Sequence, residues 1–179
     1  MQYLVTGQTF ALKELSKVSI LKKAQAEVFS YLDGCTDDKK ILINIEVQDF
    51  SKFTDISEYH KRFAPIFESK DVAIVINNAG LGHRGPFDRL TGEEVNEMVA
   101  VNLVQPTFLS RVALDYLAKR EQKSCLINVG SVMEKHPSAG FSMYATTKAF
   151  VHHFTSALAI ELQSDPELNG KIDTMLYSP

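Results

Sequence analysis

The sequence predicts an α/β protein built on a mostly parallel sheet. Short continuous apolar runs, VAIVI (72–76) and CLINV (125–129), read as strands covered on both faces. Each is followed by a longer stretch with apolar residues at helical intervals. Strand and helix signals alternate along the chain without repeats, low-complexity tracts or a linker, which is the pattern of βαβ units. A chain of 179 residues is expected to form one domain, 1–179, with a sizeable core.

The elements follow in order. Residues 2–6 (QYLVT) read as a first strand ending at Gly7. Residues 10–33 carry Leu12, Leu15, Val18, Leu21, Ala24, Val28 and Leu32 at helical intervals, giving one helix or two in succession, stopped by Gly34. KILINIEV (40–47) alternates and is β-branched, so a strand is expected there, closed by Asp49. Ser51 to Ser69 reads as a helix burying Tyr59, Phe63 and Phe67. After the strand 72–76 comes a loop with three glycines, from Gly80 to Pro86. Thr91 and Glu94 then make a capping box for a helix running to about Lys119. The strand 125–129, a long helix 143–163 and a last strand, KIDTML (171–176), complete the chain.

Composition narrows the function classes. Hydrophobic residues at 45% and charged residues at 23% are ordinary for a globular protein. A net charge of −3 with scattered Lys and Arg gives no reason to expect a nucleic-acid partner. Cys35 and Cys125 show no metal or redox spacing, Cys125 reads as a small core residue, and a reducing compartment is expected. No apolar run approaches the roughly 18 residues of a membrane span.

The chemistry gathers between Ser131 and Lys148. If Tyr144 opens a helix, Lys148 lies one turn on, over the same face. A free phenol, with a pKa near ~10, is a poor acid or base at neutral pH, and a neighbouring ammonium favours the phenolate. Ser131, at the end of a strand, is then placed to hydrogen-bond the substrate oxygen that Tyr144 protonates. Taken alone, a Tyr–Lys pair at this spacing is usually a surface pair, and Asn77-Asn78-Ala79-Gly80 most often a turn.

Together and in this order, Asn77-Asn78-Ala79-Gly80, Asn102, Ser131, Tyr144 and Lys148 resemble the catalytic centre of the short-chain dehydrogenase/reductase family. The surrounding text (VINNAG, YATTKAFV, ALAIEL) is similar to its hydroxysteroid dehydrogenase and very-long-chain 3-oxoacyl-CoA reductase branch. The resemblance covers residues 40–179 well and the first 39 badly. It implies a Rossmann-like three-layer sandwich and an NAD(P)-dependent oxidoreductase interconverting a ketone and a secondary alcohol, of steroid or long-chain 3-oxoacyl type. Tyr144 would be the acid/base, and Lys148 would tune it and hold the nicotinamide ribose. Ser131 would orient the substrate, and Asn102 would anchor a relay water. Pro106 lacks the N–H that would bond the Asn102 carbonyl, so the helix is expected to open there, the alternative being a kinked surface helix. Gly7, Asp49, Asn78, Ala79, Gly80, Tyr144 and Lys148 would line the cofactor, NADP or NAD. Asp49 reads equally as a loop residue or helix cap.

The resemblance further implies a small-molecule ketone or alcohol as partner and a homodimer through helices 91–119 and 143–163. It places the protein in the cytoplasm or on the cytosolic face of the endoplasmic reticulum. No metal site is expected: adjacent His152 and His153 point to different sides of a helix and read as surface or subunit-contact residues. His83 reads as an exposed loop residue or a substrate contact, and Thr146 and Thr147 as helix fillers.

The sequence departs from the family at both ends. After Thr6-Gly7 it continues QTFALKEL, without the family's TGxxxGxG glycines. Residues 13–30 read as a first helix joined directly to the next, with one strand missing, and the chain stops at Ser178-Pro179 where relatives continue. About five strands in the order 2-1-3-4-5 are therefore expected, from an incomplete domain. The rival reading is a catalytically impaired or truncated member acting through subunit contacts. A flavodoxin-like nucleotide or flavin binder would share the strand order but leave Ser131, Tyr144 and Lys148 without a role.

Overall fold

The computed structural model describes residues 2–6 and 48–179. By contact the chain divides into two units, residues 1–9 with 49–179 and residues 10–48, and the first is the one described below. Gly7 and the elements expected over 10–33 and 40–47 lie outside the described residues.

Four described strands, β1 (Gln2–Thr6), β2 (Val72–Asn77), β3 (Ser124–Val129) and β4 (Ile172–Tyr177), form one sheet in the order β1-β2-β3-β4. All neighbours are parallel. With the strand expected at 40–47 set aside, this is the anticipated order. The register aligns Thr6 with Asn77, Asn77 with Asn128 and Asn128 with Leu176, so the carboxyl ends of the strands share one edge. In β3 the buried residues Ser124, Leu126 and Asn128 alternate with the half-buried Cys125, Ile127 and Val129.

Helix α1 (Ile56–Ser69) begins five residues later than the expected Ser51. Its start is dictated by Asp55, which accepts from Ser57 N at 2.7 Å, and by Glu58, whose Oε2 accepts from Asp55 N at 3.1 Å. This capping box satisfies two of the helix's orphan donors, and Asp49 instead caps a single 3-10 turn, Phe50–Lys52. Tyr59, Phe63 and Phe67 are buried as their spacing requires. They pack with Phe50, Val75, Leu109, Val112, Leu117 and Leu126 into one core.

The expected Thr91–Glu94 box opens α2 (Gly92–Val99), which runs without a break through a π-helical segment, Ala100–Val104, into α3 (Gln105–Leu117). Pro106 explains the change of pitch. It has no N–H to give the carbonyl four residues back, and Gln105 N donates five residues back, to Ala100 O. The helix widens around Asn102 rather than breaking. The long helix α4 (Ser142–Ser164) follows β3, and a turn through Gly170, at φ 78°, leads into β4. No helix among the described residues is long and apolar enough to cross a membrane.

Candidate active site

The strand ends are built on amides. Asn77 and Asn128 are register partners on adjacent strands, and Asn77 Nδ2 donates to Asn128 Oδ1 at 2.8 Å. Asn77 Nδ2 also lies 3.0 Å from Ser110 Oγ, and Asn77 Oδ1 accepts from Gln105 Nε2 at 3.0 Å, which ties β2 to α3. Asn128 Nδ2 donates to Thr155 Oγ1 at 2.9 Å, which ties β3 to α4. All five side chains are buried, where an unmade hydrogen bond is costly, so this chain of bonds fixes both helices against the sheet edge.

Asn102 performs a second tethering. Its Oδ1 accepts from Leu81 N at 3.0 Å and its Nδ2 donates to Leu81 O at 2.8 Å, closing a two-bond clamp on the loop after β2. The same Nδ2 reaches Thr147 Oγ1 at 2.9 Å, and Thr147 Oγ1 donates to Tyr144 O at 2.7 Å. Thr147, read from sequence as a filler, is 1% exposed and joins Asn102 to the turn of α4 that carries Tyr144. Thr146 bonds only back to Ser142 O, at 2.8 Å, as a filler would.

That clamp brings the expected residues together. Lys148 Nζ lies 5.8 Å from the centroid of the Tyr144 ring and donates to Val129 O, at the end of β3, at 2.8 Å. A methyl group at Gly80 would stand 3.1 Å from Lys148 Nζ and 3.7 Å from Asn102 Oδ1; one at Gly82 would stand 2.8 Å from Tyr144 Cδ2. Gly80, Gly82, Asn102, Tyr144 and Lys148 thus form one packed group at the carboxyl edge. Lys148 is 4% exposed, and burial lowers its pKa, while the negative charge of Glu134 favours its protonated form. Ala79 is buried and Asn78 half-buried in the turn leading to Gly80.

Ser131 caps a short turn, Val132–Glu134, accepting from Met133 N at 3.3 Å. It stands two residues beyond the carbonyl that Lys148 holds. Glu134, which sequence reasoning passed over, has its side chain covered although the turn itself is half-exposed. Its Oε1 lies 3.1 Å from His152 Nδ1, and its Oε2 accepts from Ser178 Oγ at 3.0 Å and Ser131 N at 3.4 Å. His152, expected as a surface or subunit-contact residue, is therefore the partner of a buried carboxylate; the only sequence signal was its spacing of four from Lys148.

The remaining candidates stand apart from that group. Asp49 Oδ1 accepts from Ser51 N at 3.1 Å and Ser51 Oγ at 2.7 Å, which is its capping role. His83 is held between two carboxylates of α2, 3.5 Å from Glu94 Oε1 and 3.0 Å from Glu97 Oε2, rather than lying loose in its loop. A surface cleft of about 440 Å³ opens beside Phe67, Asp71, Val72, Tyr116 and Arg120, at the amino end of β2 and so away from this group.

A nicotinamide cofactor can be tested against these residues. Gly80, where a Cβ would crowd Lys148 Nζ at 3.1 Å, sets the chain close against a buried ammonium at the carboxyl ends of parallel strands, the place where such sheets bind nucleotides. The described part of the site fits that group; the segment after Gly7 lies outside the described residues.

Comparison with known proteins agrees with the geometry. The chain is 33% identical over 117 residues to a very-long-chain 3-oxoacyl-CoA reductase of Neurospora crassa, covering 64% of this chain and 34% of that protein. It is 37% identical over 98 residues to 3beta-hydroxysteroid dehydrogenase 1 of Eggerthella lenta, covering 55% and 38%. Among solved structures, the bulky-bulky ketone specific alcohol dehydrogenase from Comamonas testosteroni superposes with a TM-score of 0.66 at 29% identity, over 86% of this chain and 58% of that one. The chain spans about a third of the length of the first two relatives. The match to the family described as short chain dehydrogenase runs from residue 8 to residue 166, across most of the sequence, and includes Asn102, Ser131, Tyr144 and Lys148. On that extent, and on a parallel sheet with the matching solved structures, the chain belongs to the short-chain dehydrogenase family.

Proposed function

We propose that this chain carries the catalytic half of an NAD(P)-dependent oxidoreductase that interconverts a ketone and a secondary alcohol. The observation that supports this most is the placement of Lys148 Nζ 5.8 Å from the Tyr144 ring centroid at the carboxyl ends of the strands. Tyr144 Oη gives its proton to the substrate oxygen in reduction and takes it back in oxidation. Lys148, charged and anchored to Val129 O, favours the phenolate left behind. Ser131 hydrogen-bonds the same substrate oxygen. The Asn102 carbonyl, within the widened helix, would hold a water through which, in reduction, a solvent proton passes by way of Lys148 to re-form the Tyr144 phenol. Asn78, Ala79, Gly80, Tyr144 and Lys148, with Gly7 and Asp49, would hold the nicotinamide nucleotide. When bound, the nucleotide supplies or accepts the hydride. The names of the relatives favour a bulky, lipid-like substrate, a steroid or a long-chain 3-oxoacyl thioester.

Titration with NADPH and NADH, followed by assay on a steroid ketone and a 3-oxoacyl thioester, tests the reading. Binding of at least one nucleotide and loss of turnover in Tyr144→Phe, with nucleotide affinity retained, is the expected result. No binding of either nucleotide at millimolar concentration would sink it.

A second reading, a member without turnover that works through subunit contacts, draws on the surface of α4. Phe150 is 40% exposed and Ile160 65% exposed. A pairing of two copies through α2–α3 and α4 would cover them. Sedimentation equilibrium finding only monomer would remove that reading.

A further inference from the structure

We propose that Glu134 is a positioning residue of the site: held by His152, it fixes the strand end Val129–Ser131 on which Lys148 is anchored and from which Ser131 acts. The proposal rests on the reading of Tyr144, Lys148 and Ser131 given above, and it assigns a role to a residue outside that set.

The Glu134 side chain is 1% exposed, a costly place for a carboxylate unless each oxygen is occupied. Both are. Oε2 takes the Ser131 N–H and the Ser178 hydroxyl, and Oε1 faces His152 Nδ1 at 3.1 Å. A capping box alone would account for the bond to Ser131 N, but it would leave the other oxygen free and the group at the surface. Here the second oxygen reaches a different element, α4.

Gly130 shows how closely the carboxylate is fitted. A methyl group there would overlap Glu134 Oε2 and stand 2.7 Å from Ser178 Oγ. The Gly130-Ser131 step is therefore what admits the carboxylate behind the serine. The segment of residues 129–131 is then gripped at two points by one helix face. Lys148 Nζ holds Val129 O at 2.8 Å, and His152, one turn further along α4, holds Glu134, which holds Ser131 N. Loss of Glu134 would leave residues 129–131 held to α4 by the Lys148–Val129 bond, with Asn128–Thr155 one residue earlier, and would release Ser131 N from its grip. The negative charge also acts on Lys148, favouring its protonated form against burial.

Glu134→Gln tests this, since the amide keeps the shape but, with one carbonyl oxygen and no charge, cannot accept from Ser131 N and from His152 at once, and so breaks the link between them. In protein labelled with 13C-lysine, with the Lys148 signal assigned from Lys148→Met, the Lys148 titration midpoint is expected to fall in Glu134→Gln and to stay near wild type in Glu134→Asp. An unmoved midpoint in Glu134→Gln overturns the proposal. This readout needs no nucleotide, so it stands even where the wild type binds none and the oxidoreductase reading fails. In a chain that does turn over, Glu134→Gln is expected to lower kcat about tenfold or more with nucleotide Kd unchanged; an unchanged kcat overturns the proposal while leaving the activity in place. Should Glu134→Gln fail to fold, His152→Asn alters only the half-exposed end of the pair. The Ser131 and Lys148 resonances are then expected to move together, and unmoved resonances overturn the proposal equally.

Discussion

At the scale of single residues, the site depends on what is missing as much as on what is present. Gly82 faces the root of the Tyr144 ring, with the nearest ring atom 2.8 Å from where a methyl group would be. The ring atoms there are not the tip of a flexible chain, so a side chain at residue 82 must push the whole phenol. Gly82→Ala is expected to lower turnover by one to two orders of magnitude, the scale of loss from about an ångström of misplacement, with the far-ultraviolet circular dichroism unchanged. Wild-type kinetics in this variant would show that Tyr144 has room to spare. Nothing in the sequence marks Gly82, because the constraint comes from a residue sixty-two positions away in the chain. Thr147 was invisible for the same reason: a threonine inside a helix signals nothing until Asn102 is seen to donate to it.

At the scale of elements, local chemistry sets where helices begin. The boxes at Asp55–Glu58 and Thr91–Glu94 start α1 and α2. Hydrogen bonds from the Ser57 side chain and backbone hold the Asp55 carboxyl below its usual range, and those from the Thr91 backbone and hydroxyl do the same for Glu94. At the start of β2, the Arg120 guanidinium, bonded to Asp71 at 2.7 and 3.2 Å, lowers Asp71 likewise. Each carboxyl binds a proton more weakly folded than unfolded, so its stabilising contribution is complete above the ordinary carboxylate range and is lost as pH falls through the lowered values. Melting temperature is therefore expected to drop as pH falls below about 4. Asp55→Asn and Glu94→Gln should each flatten that drop; parallel curves for variant and wild type would remove the caps from the account. The two boxes differ in legibility. Thr91 and Glu94 directly precede an apolar periodic run, whereas the competing start at Ser51 hid Asp55 until the 3-10 turn separated them.

At the scale of the whole molecule, the amide chain from Gln105 through Asn77 and Asn128 to Thr155 joins two strands and two helices. Asn77→Ala would leave Gln105 Nε2 without its acceptor and Asn128 Oδ1 without its donor, both buried. At about 1–3 kcal/mol for each of the two orphaned groups, the expected loss is roughly 2–6 kcal/mol in urea unfolding. A change below about 1 kcal/mol would mean that the strand edge is held by packing alone.

Strand runs, helical periodicity, the Thr91 box and the Tyr144–Lys148 pair could be read from the chain because each lies within one turn or one strand, and Asn102 and Ser131 because their order along the chain resembles the family's. The parallel order β1-β2-β3-β4 followed from the family resemblance those signals support. Contacts between residues far apart in sequence could not be read this way. The burial of Glu134 against His152 and the pressure of Gly82 on Tyr144 exist only once α4 is laid across the strand ends, and the clamp of Asn102 on Leu81 only once the helix through Asn102 meets the loop after β2. Propensity and pattern act over a few residues, while the cost of an unpaired buried group is set by whatever the folded chain brings beside it.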